Sequence, residues 1–413
     1  MTMSLLLTGA TVIDGLGTDP APSGAVAVSG DRIVGLDEKS APDDADVVDL
    51  SGLTLLPGLI DAHVHIGHSS EMRAVLNLDV SVAERAADIF RTLRQTLDAG
   101  FTAVRDCGGI DHGVLRTVSR GLVPGPRIWA SASPLVQGGG HGHLGSPFAP
   151  PDATFHFRVR GLTAVGRISD GNDEVRKAAR ECFRQGASFL KMAVTGGVVS
   201  ISDSLEDTQF TIEEIATAVA EAHARHTYVT VHAHNRGGIH NAVKAGVECV
   251  EHGTGIDEET AAMMAANKVS LVPTLAIAQV LTENFDQHGL PPQVRERVGD
   301  TMQGMVDGLL AAREAGVPVG SGSDLIGPDQ DRRGLEIALK AQVIGPMAAI
   351  MSATSVNAQI IRQADKIGSI QTGKFADLVA VDFDPLERPD LFDDPDHVVL
   401  VVKGGRIVKD TRK

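Results

Sequence analysis

The sequence predicts an α/β fold: a (β/α)8 TIM barrel accompanied by a small composite β domain from both termini. Two observations lead to this prediction. In the middle of the chain, β-rich runs alternate with amphipathic helical stretches, a pattern typical of parallel βαβ units. At both ends, short β-branched runs are separated by glycine turns without intervening helices. We place the β domain at 1–56 plus 364–413 and the barrel at 57–363.

The two ends of the chain carry similar strand patterns. The first end contains the runs LLLTGATVID, GAVAVSGDRIVGLD and ADVVDLSGLTLLPG. The last end contains GSIQTGKFADLVAVDFDP and HVVLVVKGGRIVKD, which show the same strands and glycine turns. We therefore expect the two ends to pair into one composite β domain.

Eight candidate strands account for the barrel. They are LIDAHVHI, FTAVRD, RIWASA, FLKMAV, YVTVHAH, CVEHG, SLVPTL and VPVGSGSD. Four helices of this region are expected to end at a glycine, which adopts the left-handed conformation at low cost. These glycines are Gly100, Gly186, Gly246 and Gly316. In a (β/α)8 barrel the active site lies at the carboxyl ends of the strands, where the following loops converge.

Ionisable side chains finish several of these strands, and they are the candidate metal ligands. They are His63, His65, Lys191, His232, His252 and Asp324. His63 and His65 are one residue apart on a strand, so both imidazoles point to the same face. His232 and His252 are one βα unit apart, which places them on neighbouring strands. Each residue alone also has an ordinary interpretation, as a loop histidine, a hydrogen-bonded buried histidine or a helix-capping aspartate.

Two of the strands contain charged residues that should be buried. Lys191 interrupts the apolar run SFLKMAV, and an unpaired ammonium there would be costly. One solution is a neutral amine that reacts with carbon dioxide to give a carbamate, which can bridge two divalent cations. The alternative is a lysine that pairs with a carboxylate or extends to a rim.

Arg105 and Asp106 end the second strand, where they either line the site or form an internal ion pair.

The motifs together resemble the amidohydrolase superfamily over nearly the whole chain. They are LLPGLIDAHVHIG, FLKMAVTGGV, VTVHAHNRGGIHNAVKAGVECVEHGT, VGSGSD and GSIQTGKFADLVAVDFDP. More narrowly, they resemble the group of Xaa-Pro dipeptidases (prolidases), imidazolonepropionase-like hydrolases and ochratoxin-degrading amidohydrolases. The resemblance implies a (β/α)8 barrel with a β-sandwich from both termini and a two-metal active site.

The resemblance also implies how the ligands divide. One divalent ion is held by His63, His65 and Asp324. The second ion is held by His232 and His252, and the carbamate of Lys191 bridges the two. Zinc suits these ligands, and manganese or cobalt fits them as well. Asp324 would take the proton of the attacking water and pass it to the leaving amine.

Substrate contacts are expected from loops that follow the strands. His141 and His143 lie in QGGGHGHLG, where related enzymes have a Gly-Gly-His-Gly segment near the substrate. His234 and Asn235 directly follow the predicted ligand His232, and the loop TGGVVSISDSLEDTQF follows the fourth strand. A glycine-rich surface loop with solvated histidines is the alternative for the first pair.

The predicted reaction is metal-dependent hydrolysis of an amide bond in a small molecule, of the dipeptidase or N-acyl-amino-acid amidase type. The segment HAHNRGG departs from the prolidase pattern, and the chain has one Trp and one Tyr. A urea, carbamate or xenobiotic-amide hydrolase on the same site is therefore the alternative. A heterocycle deaminase and a non-catalytic scaffold are less favoured, because Lys191 fits the first poorly and the intact ligands argue against the second.

Composition excludes several other classes of function. A net charge of −16 argues against a nucleic-acid partner, which requires a basic face. The three cysteines lack metal-binding or redox spacing, which suits a reducing cytoplasm. No apolar run reaches the roughly 18 residues of a membrane span. We therefore expect a cytoplasmic homo-oligomer with a small-molecule substrate and no nucleic-acid or membrane partner.

Overall fold

The computed structural model describes residues 4–68, 80–144, 148–200, 202–286 and 292–412. The extreme ends of the predicted β domain, 1–3 and 413, lie outside the described residues. The fold is α/β: strands from the two chain ends form one mixed sheet, and parallel sheets lie between them in the sequence.

The elements of the described residues alternate between strand and helix through the middle of the chain. The strands are β1 (Ser4–Val12), β2 (Ala21–Ser29), β3 (Arg32–Gly35), β4 (Asp46–Asp49), β5 (Thr54–Pro57), β6 (Leu59–Val64), β7 (Phe101–Asp106), β8 (Arg127–Ala130), β9 (Leu135–Val136), β10 (Arg167–Ile168), β11 (Leu190–Ala193), β12 (Val229–Ala233), β13 (Cys249–His252), β14 (Ser270–Val272), β15 (Leu378–Val381), β16 (Val398–Lys403) and β17 (Arg406–Asp410). The helices are α1 (Val82–Asp98), α2 (His112–Ser119), α3 (Ala153–Phe157), α4 (Asn172–Arg184), α5 (Ile212–His223), α6 (Arg236–Ala245), α7 (Glu258–Ala266), α8 (Leu275–Glu283), α9 (Pro292–Glu314), α10 (Leu335–Ile344), α11 (Pro346–Met351) and α12 (Asn357–Ile360).

Strands from both ends of the chain form a single eight-stranded sheet. Its order is β17-β16-β15-β5-β1-β2-β3, and β4 pairs with β1. The two ends meet where β15 pairs antiparallel with β5, with Val379 opposite Leu56. The expected pairing of the ends is therefore present, while the arrangement as a sandwich stays a prediction.

The parallel strands form two sheets that carry the predicted barrel strands. One sheet has the order β6-β7-β8 and the other has the order β10-β9-β11-β12-β13-β14. The first seven predicted strands correspond to β6, β7, β8, β11, β12, β13 and β14. A backbone hydrogen bond of 2.8 Å from Ser188 N to Ala130 O connects the end of β8 with the start of β11.

The eighth predicted strand, residues 317–324, does not form a regular strand. Within it, Val319 makes a single parallel bridge to Leu271. Pro318 has no N–H to donate to a ladder, which limits pairing here. Gly322 faces His63 so closely that a Cβ would lie 2.5 Å from the His63 Cβ. The expectation of a regular strand is therefore wrong. In this segment Gly322 lets the backbone approach His63 closely, and the hydrogen-bond ladder of a strand does not form.

The segment 317–324 is nevertheless hydrogen bonded on both sides. Leu271 N on β14 donates to Pro318 O at 2.9 Å. On the other side, Asp324 N donates to His63 O on β6 at 2.8 Å. These bonds bring Asp324 beside the end of β6.

The helices begin and end where local chemistry favours it. Capping boxes start α1 at Ser81 and α5 at Thr211. The four glycines predicted to end helices all have positive φ, between 78° and 94°, which confirms that expectation.

Within the described ranges, no helix combines the length and apolar character that crossing a membrane requires.

Apolar side chains connect the layers. One cluster fills the space between the parallel strands β11 to β14 and their helices, and a second fills the terminal sheet. A third cluster includes Leu56, Phe101, Ile350 and Val379. It packs strands of the terminal sheet and of the β6-β7-β8 sheet against α10 and α11. The terminal sheet therefore supports the side of the molecule from which β6 starts.

Replacing Gly322 by alanine should destabilise the protein. The added Cβ would lie 2.5 Å from His63 Cβ and 2.7 Å from Val272 Cγ1, so backbone must shift. We expect a loss of about 1–3 kcal/mol in the free energy of unfolding, measured by urea denaturation. Gly299→Ala is the control, because a Cβ there meets nothing within 4 Å. A Gly322→Ala protein as stable as wild type would contradict this packing.

Candidate metal centre

The first group of candidate ligands lies at the end of β6. The Nε2 atoms of His63 and His65 are 3.3 Å apart. Oδ1 of Asp324 lies 3.5 Å from the first of these atoms and 3.2 Å from the second. One ligand atom from each residue fits within 4.8 Å of the others, so the three can hold one ion. We call His63, His65 and Asp324 the first ligand group.

The second group comes from the ends of β12 and β13. It consists of His232, His234 and His252, whose ligand atoms also lie within 4.8 Å of one another. His232 Nδ1 and His252 Nε2 are 2.8 Å apart. His234 was expected to contact substrate, and it lies within this cluster because it is two residues beyond His232 along the chain. We call these three residues the second ligand group.

Two of the ligand candidates have unusual backbone conformations. His252 has φ of 68° and Asp324 has φ of 55°. Non-glycine residues in this left-handed region cost of order 1–3 kcal/mol, and they concentrate at functional sites. In both residues the turn occurs at the carboxyl end of a strand or strand-like segment, which directs the side chain into the cavity.

Lys191 lies on β11, is 4% exposed and lines the same cavity. Its Nζ has no hydrogen-bond partner in the described structure. Burying an ammonium group in this way is costly. Of the two interpretations of this lysine, pairing with a carboxylate or carbamate formation, the absence of a hydrogen-bonded partner fits the second better. The residues present therefore fit a metal site.

Burial keeps most of the histidines neutral. It lowers the pKa of His232 and His252 well below the ordinary value, and the neighbouring imidazoles add to the effect. Burial and the nearby His141 lower the pKa of His234 to about 3. Neutral imidazoles retain a ring nitrogen lone pair, which is the form that binds metal ions.

The carboxylate of Asp324 stays ionised. Burial opposes its charge, but His63 and His65 outweigh burial and bring its pKa to about 2. The same contact has the reverse effect on His65: burial opposes the charged ring, while the hydrogen bond to Asp324 raises its pKa. An anionic oxygen next to two imidazoles is a suitable donor set for a divalent cation.

A buried ion pair behind His63 was not predicted. Glu251 Oε2 lies 2.8 Å from His63 Nδ1, and Glu251 Oε1 accepts from Arg105 Nη2 at 2.6 Å. Arg105 thus pairs with Glu251 and not with Asp106, whose carboxylate accepts from the backbone N–H of Ile66 at 3.0 Å. A signal existed in the sequence, since Glu251 interrupts an apolar strand just as Lys191 does.

A cavity of about 910 Å³ opens over both ligand groups. Its floor is formed by the ligand candidates and Lys191. One wall is apolar and comes from Ile277 and Leu281 on α8 and from Val298 and Met305 on α9. Among the described lining residues, the only charged side chains other than histidines are Lys191 and Asp324.

The predicted substrate residues do not all reach this cavity. His141 lines it and stacks on His232, with ring centroids 3.9 Å apart, while its Nδ1 lies 2.8 Å from Ser200 Oγ. His143 also lines the cavity, although both its ring nitrogens contact backbone groups of Gly139 and Pro151.

Asn235 does not line the cavity. It caps α6, where its side chain accepts from Gly238 N at 2.9 Å and donates to the carbonyls of Leu205 and Asp207. In contrast, the predicted loop after the fourth strand does reach the cavity, through Val198 and Val199.

Comparison with known proteins agrees with this geometry. A family model described as the amidohydrolase family matches residues 54–408. The chain belongs to the amidohydrolase family. Its relatives include hydrolases, an ochratoxinase and a prolidase among them, and this protein is an enzyme that hydrolyses carbon–nitrogen bonds.

The relatives include members of the prolidase-like group, which confirms the narrower resemblance. The ochratoxinase of Aspergillus niger is 30% identical over 367 residues, covering 86% of this chain and 75% of that protein. A prolidase solved in complex with N-methylphosphonate-L-proline is 35% identical, with a TM-score of 0.91 over 99% of this chain and 100% of that chain. A Xaa-Pro dipeptidase with bound methionine is 30% identical, with a TM-score of 0.86 over 98% of this chain and 100% of that chain.

Replacing Lys191 by methionine should not destabilise the metal-free protein, because it removes a buried amine without a hydrogen-bond partner. Lys340→Met is the matched control. Lys340 is also buried, but its Nζ donates to Gly320 O and, at 2.7 Å, to Ser352 Oγ. We expect the control to lose about 1–3 kcal/mol in urea unfolding after chelator treatment. Equal losses in both variants would contradict the difference between the two lysines.

Proposed function

We propose that this enzyme hydrolyses an amide bond of a small molecule with the help of two divalent metal ions. The first ligand group would hold one ion and the second ligand group the other, with carboxylated Lys191 between them. Zn²⁺ is the first choice, and Mn²⁺ or Co²⁺ suits the same donors. The observation that carries the proposal is the convergence of neutral imidazoles, an ionised carboxylate and an unpartnered buried amine on one cavity floor.

The chain's own residues would divide the chemistry between them. When bound, the ions lower the pKa of water and polarise the scissile carbonyl. Asp324 is ionised and lies within reach of the first ligand group, so it can accept a proton from the attacking water and return it to the leaving amine. His141 stacks over His232 at the edge of the floor, where it can orient the substrate.

We further propose that the two parallel sheets and residues 317–324 form one (β/α)8 barrel. The hydrogen bonds that connect this segment to β14 and to β6 support closure on that side, and the bond between Ser188 and Ala130 supports it on the other. The domain division that accompanies this proposal is 1–56 plus 364–413 for the β-sandwich and 57–363 for the barrel.

A dipeptide or an N-acyl amino acid is the first proposed type of substrate. The similarity to a prolidase solved with N-methylphosphonate-L-proline supports it, since that complex contains a proline derivative. The similarity to a Xaa-Pro dipeptidase with methionine in its active site gives the same support.

A neutral urea, carbamate or xenobiotic amide is the second proposed type. The apolar wall of α8 and α9 favours it, because that wall buries uncharged substrate groups. A substrate with a free carboxylate usually requires a cationic partner. In the described part of the lining, the lysines and arginines are limited to Lys191, which would be anionic as the proposed carbamate.

Metal removal should abolish hydrolysis. Dialysis against a chelator is expected to eliminate turnover, and Zn²⁺, Mn²⁺ or Co²⁺ should restore it.

Asp324→Asn at saturating metal should lower kcat by about 10²- to 10⁴-fold, because the proton acceptor is lost. Asp257→Asn, a change at the cap of α7, is the matched control and should keep wild-type kcat. Full activity in chelator-treated protein would reject the proposed mechanism.

A substrate panel separates the two proposed types. It should contain Xaa-Pro dipeptides and N-acyl amino acids, each beside an amide of the same size without the carboxylate, together with aryl ureas and carbamates. The dipeptidase proposal predicts a higher kcat/KM for the acids. The alternative predicts a higher kcat/KM for the neutral partners, since their apolar groups pack on α8 and α9. Turnover of neither series would contradict both.

A further inference from the structure

The two ligand groups differ in the residues that support them. In the first ligand group, His63 has Glu251 Oε2 at 2.8 Å from its Nδ1. A carboxylate can only accept, so Nδ1 carries the hydrogen and Nε2 carries the lone pair. Nε2 is the atom that faces His65 and Asp324. Glu251 therefore selects the tautomer of His63 that can bind a cation at the first ligand group.

Glu251 is itself held in place from behind. Its Oε1 accepts from Arg105 Nη2 at 2.6 Å and from the hydroxyl of Thr230. The side chains of Glu251 and Arg105 are both 0% exposed, so water cannot replace either partner. Arg105 Nε also donates to the carbonyl of Ala62, the residue before His63. One guanidinium thus fixes both the carboxylate and the backbone next to the ligand.

The backbone of β13 allows this arrangement. Glu251 and His252 are consecutive, and in a regular strand their side chains would point to opposite faces. The left-handed conformation of His252, with φ of 68°, breaks the alternation. Both side chains therefore lie beside His63: Glu251 Oε2 is 2.8 Å from its Nδ1, and the ring centroids of His252 and His63 are 5.0 Å apart.

The second ligand group has neutral support. His252 Nδ1 lies 2.7 Å from Thr274 Oγ1, and His234 Nδ1 lies 2.8 Å from Thr254 Oγ1. His232 Nε2 lies 3.3 Å from a backbone carbonyl, that of Gly196. Asp324 Oδ2 comes within 3.9 Å of His252 Nδ1, which is beyond hydrogen-bonding distance. Hydroxyls and a carbonyl polarise an imidazole less than a carboxylate does.

We propose that Glu251, held by Arg105, is a positioning residue for His63, and that the first ligand group consequently binds the first divalent ion. The second ligand group then binds the second ion more weakly. The first group has a carboxylate ligand and a carboxylate-supported imidazole, whereas the second has three imidazoles with neutral support. This inference rests on the proposed function, because it assigns an order of loading to the metal ions of that site.

Titration with Co²⁺ tests the proposal, because cobalt absorbs visible light in a way that depends on its ligands. The full-length, chelator-treated protein is titrated in bicarbonate buffer, with bound metal measured by equilibrium dialysis and absorption recorded at each step. We expect two equivalents in the wild type, the first tighter by at least about 10-fold. Glu251→Gln should weaken the first equivalent by about 10- to 100-fold and change its absorption.

Thr274→Val is the matched control, because it removes the outer partner of His252 in the second ligand group. It should weaken the second equivalent and leave the first unchanged. If Glu251→Gln fails to fold, the double variant Glu251→Leu with Arg105→Met replaces the whole pair with apolar side chains. It should fold without metal and still lose affinity for the first equivalent.

An unchanged first equivalent in a folded Glu251 variant would overturn this inference, while the metal-dependent function would stand. Loss of the first equivalent in Thr274→Val, with the second retained, would overturn the order of loading. A wild-type protein that binds no Co²⁺ would overturn the proposed function and this inference together.

Discussion

Basic side chains buried together at one end of the parallel strands are the constraint on which the site depends. Burial deprives His232, His234 and His252 of their charge, since the pKa of each falls below the ordinary value for histidine. Each ring therefore keeps a lone pair directed at a shared space. Among the described residues, the Nζ of the buried Lys191 has no hydrogen-bond partner. Divalent cations and an anionic group on that nitrogen would relieve both difficulties at once.

Backbone geometry makes this crowding possible. Asp61 accepts hydrogen bonds from His63 N at 3.1 Å and from Ser323 N at 3.0 Å, so one buried carboxylate connects β6 with the segment that carries Asp324. Arg333 Nη1 lies 3.2 Å from the same carboxylate and offsets its charge. The left-handed turn at Asp324 then directs its side chain toward the histidines. The hydrogen bonds and ion pair of Asp61 with His63, Ser323 and Arg333 thus stabilise the strained backbone at Asp324. The side chains of Asp61, Ser323 and Arg333 do not line the cavity.

The sequence predicted the strands and the strand-end residues because both follow from local periodicity. It could not predict that residues 317–324 lack a regular ladder, since that depends on how closely Gly322 approaches His63. It offered Asp106 as a partner for Arg105, and it could not identify the actual partner Glu251, which is distant in the chain. Asn235 had the residue type of a substrate contact, yet the start of α6 uses its side chain as a cap.

Different elements of the cavity carry the candidate metal ligands and the apolar wall. Its floor comes from strand ends whose positions are fixed by the parallel sheets, while one wall comes from α8 and α9, which follow the seventh strand. The wall residues Leu281, Val298 and Met305 belong to an apolar cluster of their own, distinct from the cluster behind β11 to β14. A change at Leu281 or Val298 can therefore alter which substrate group is buried, whereas Met305 also accepts from Thr274 Oγ1, the hydrogen-bond partner of His252. Because the wall offers dispersion and desolvation but no charge, it selects by shape and apolar area. In the described part of the lining, the side chains that can meet a charged substrate group are Lys191, Asp324 and the histidines. Several of these belong to the ligand groups, so recognition of such a group there would compete with the chemistry.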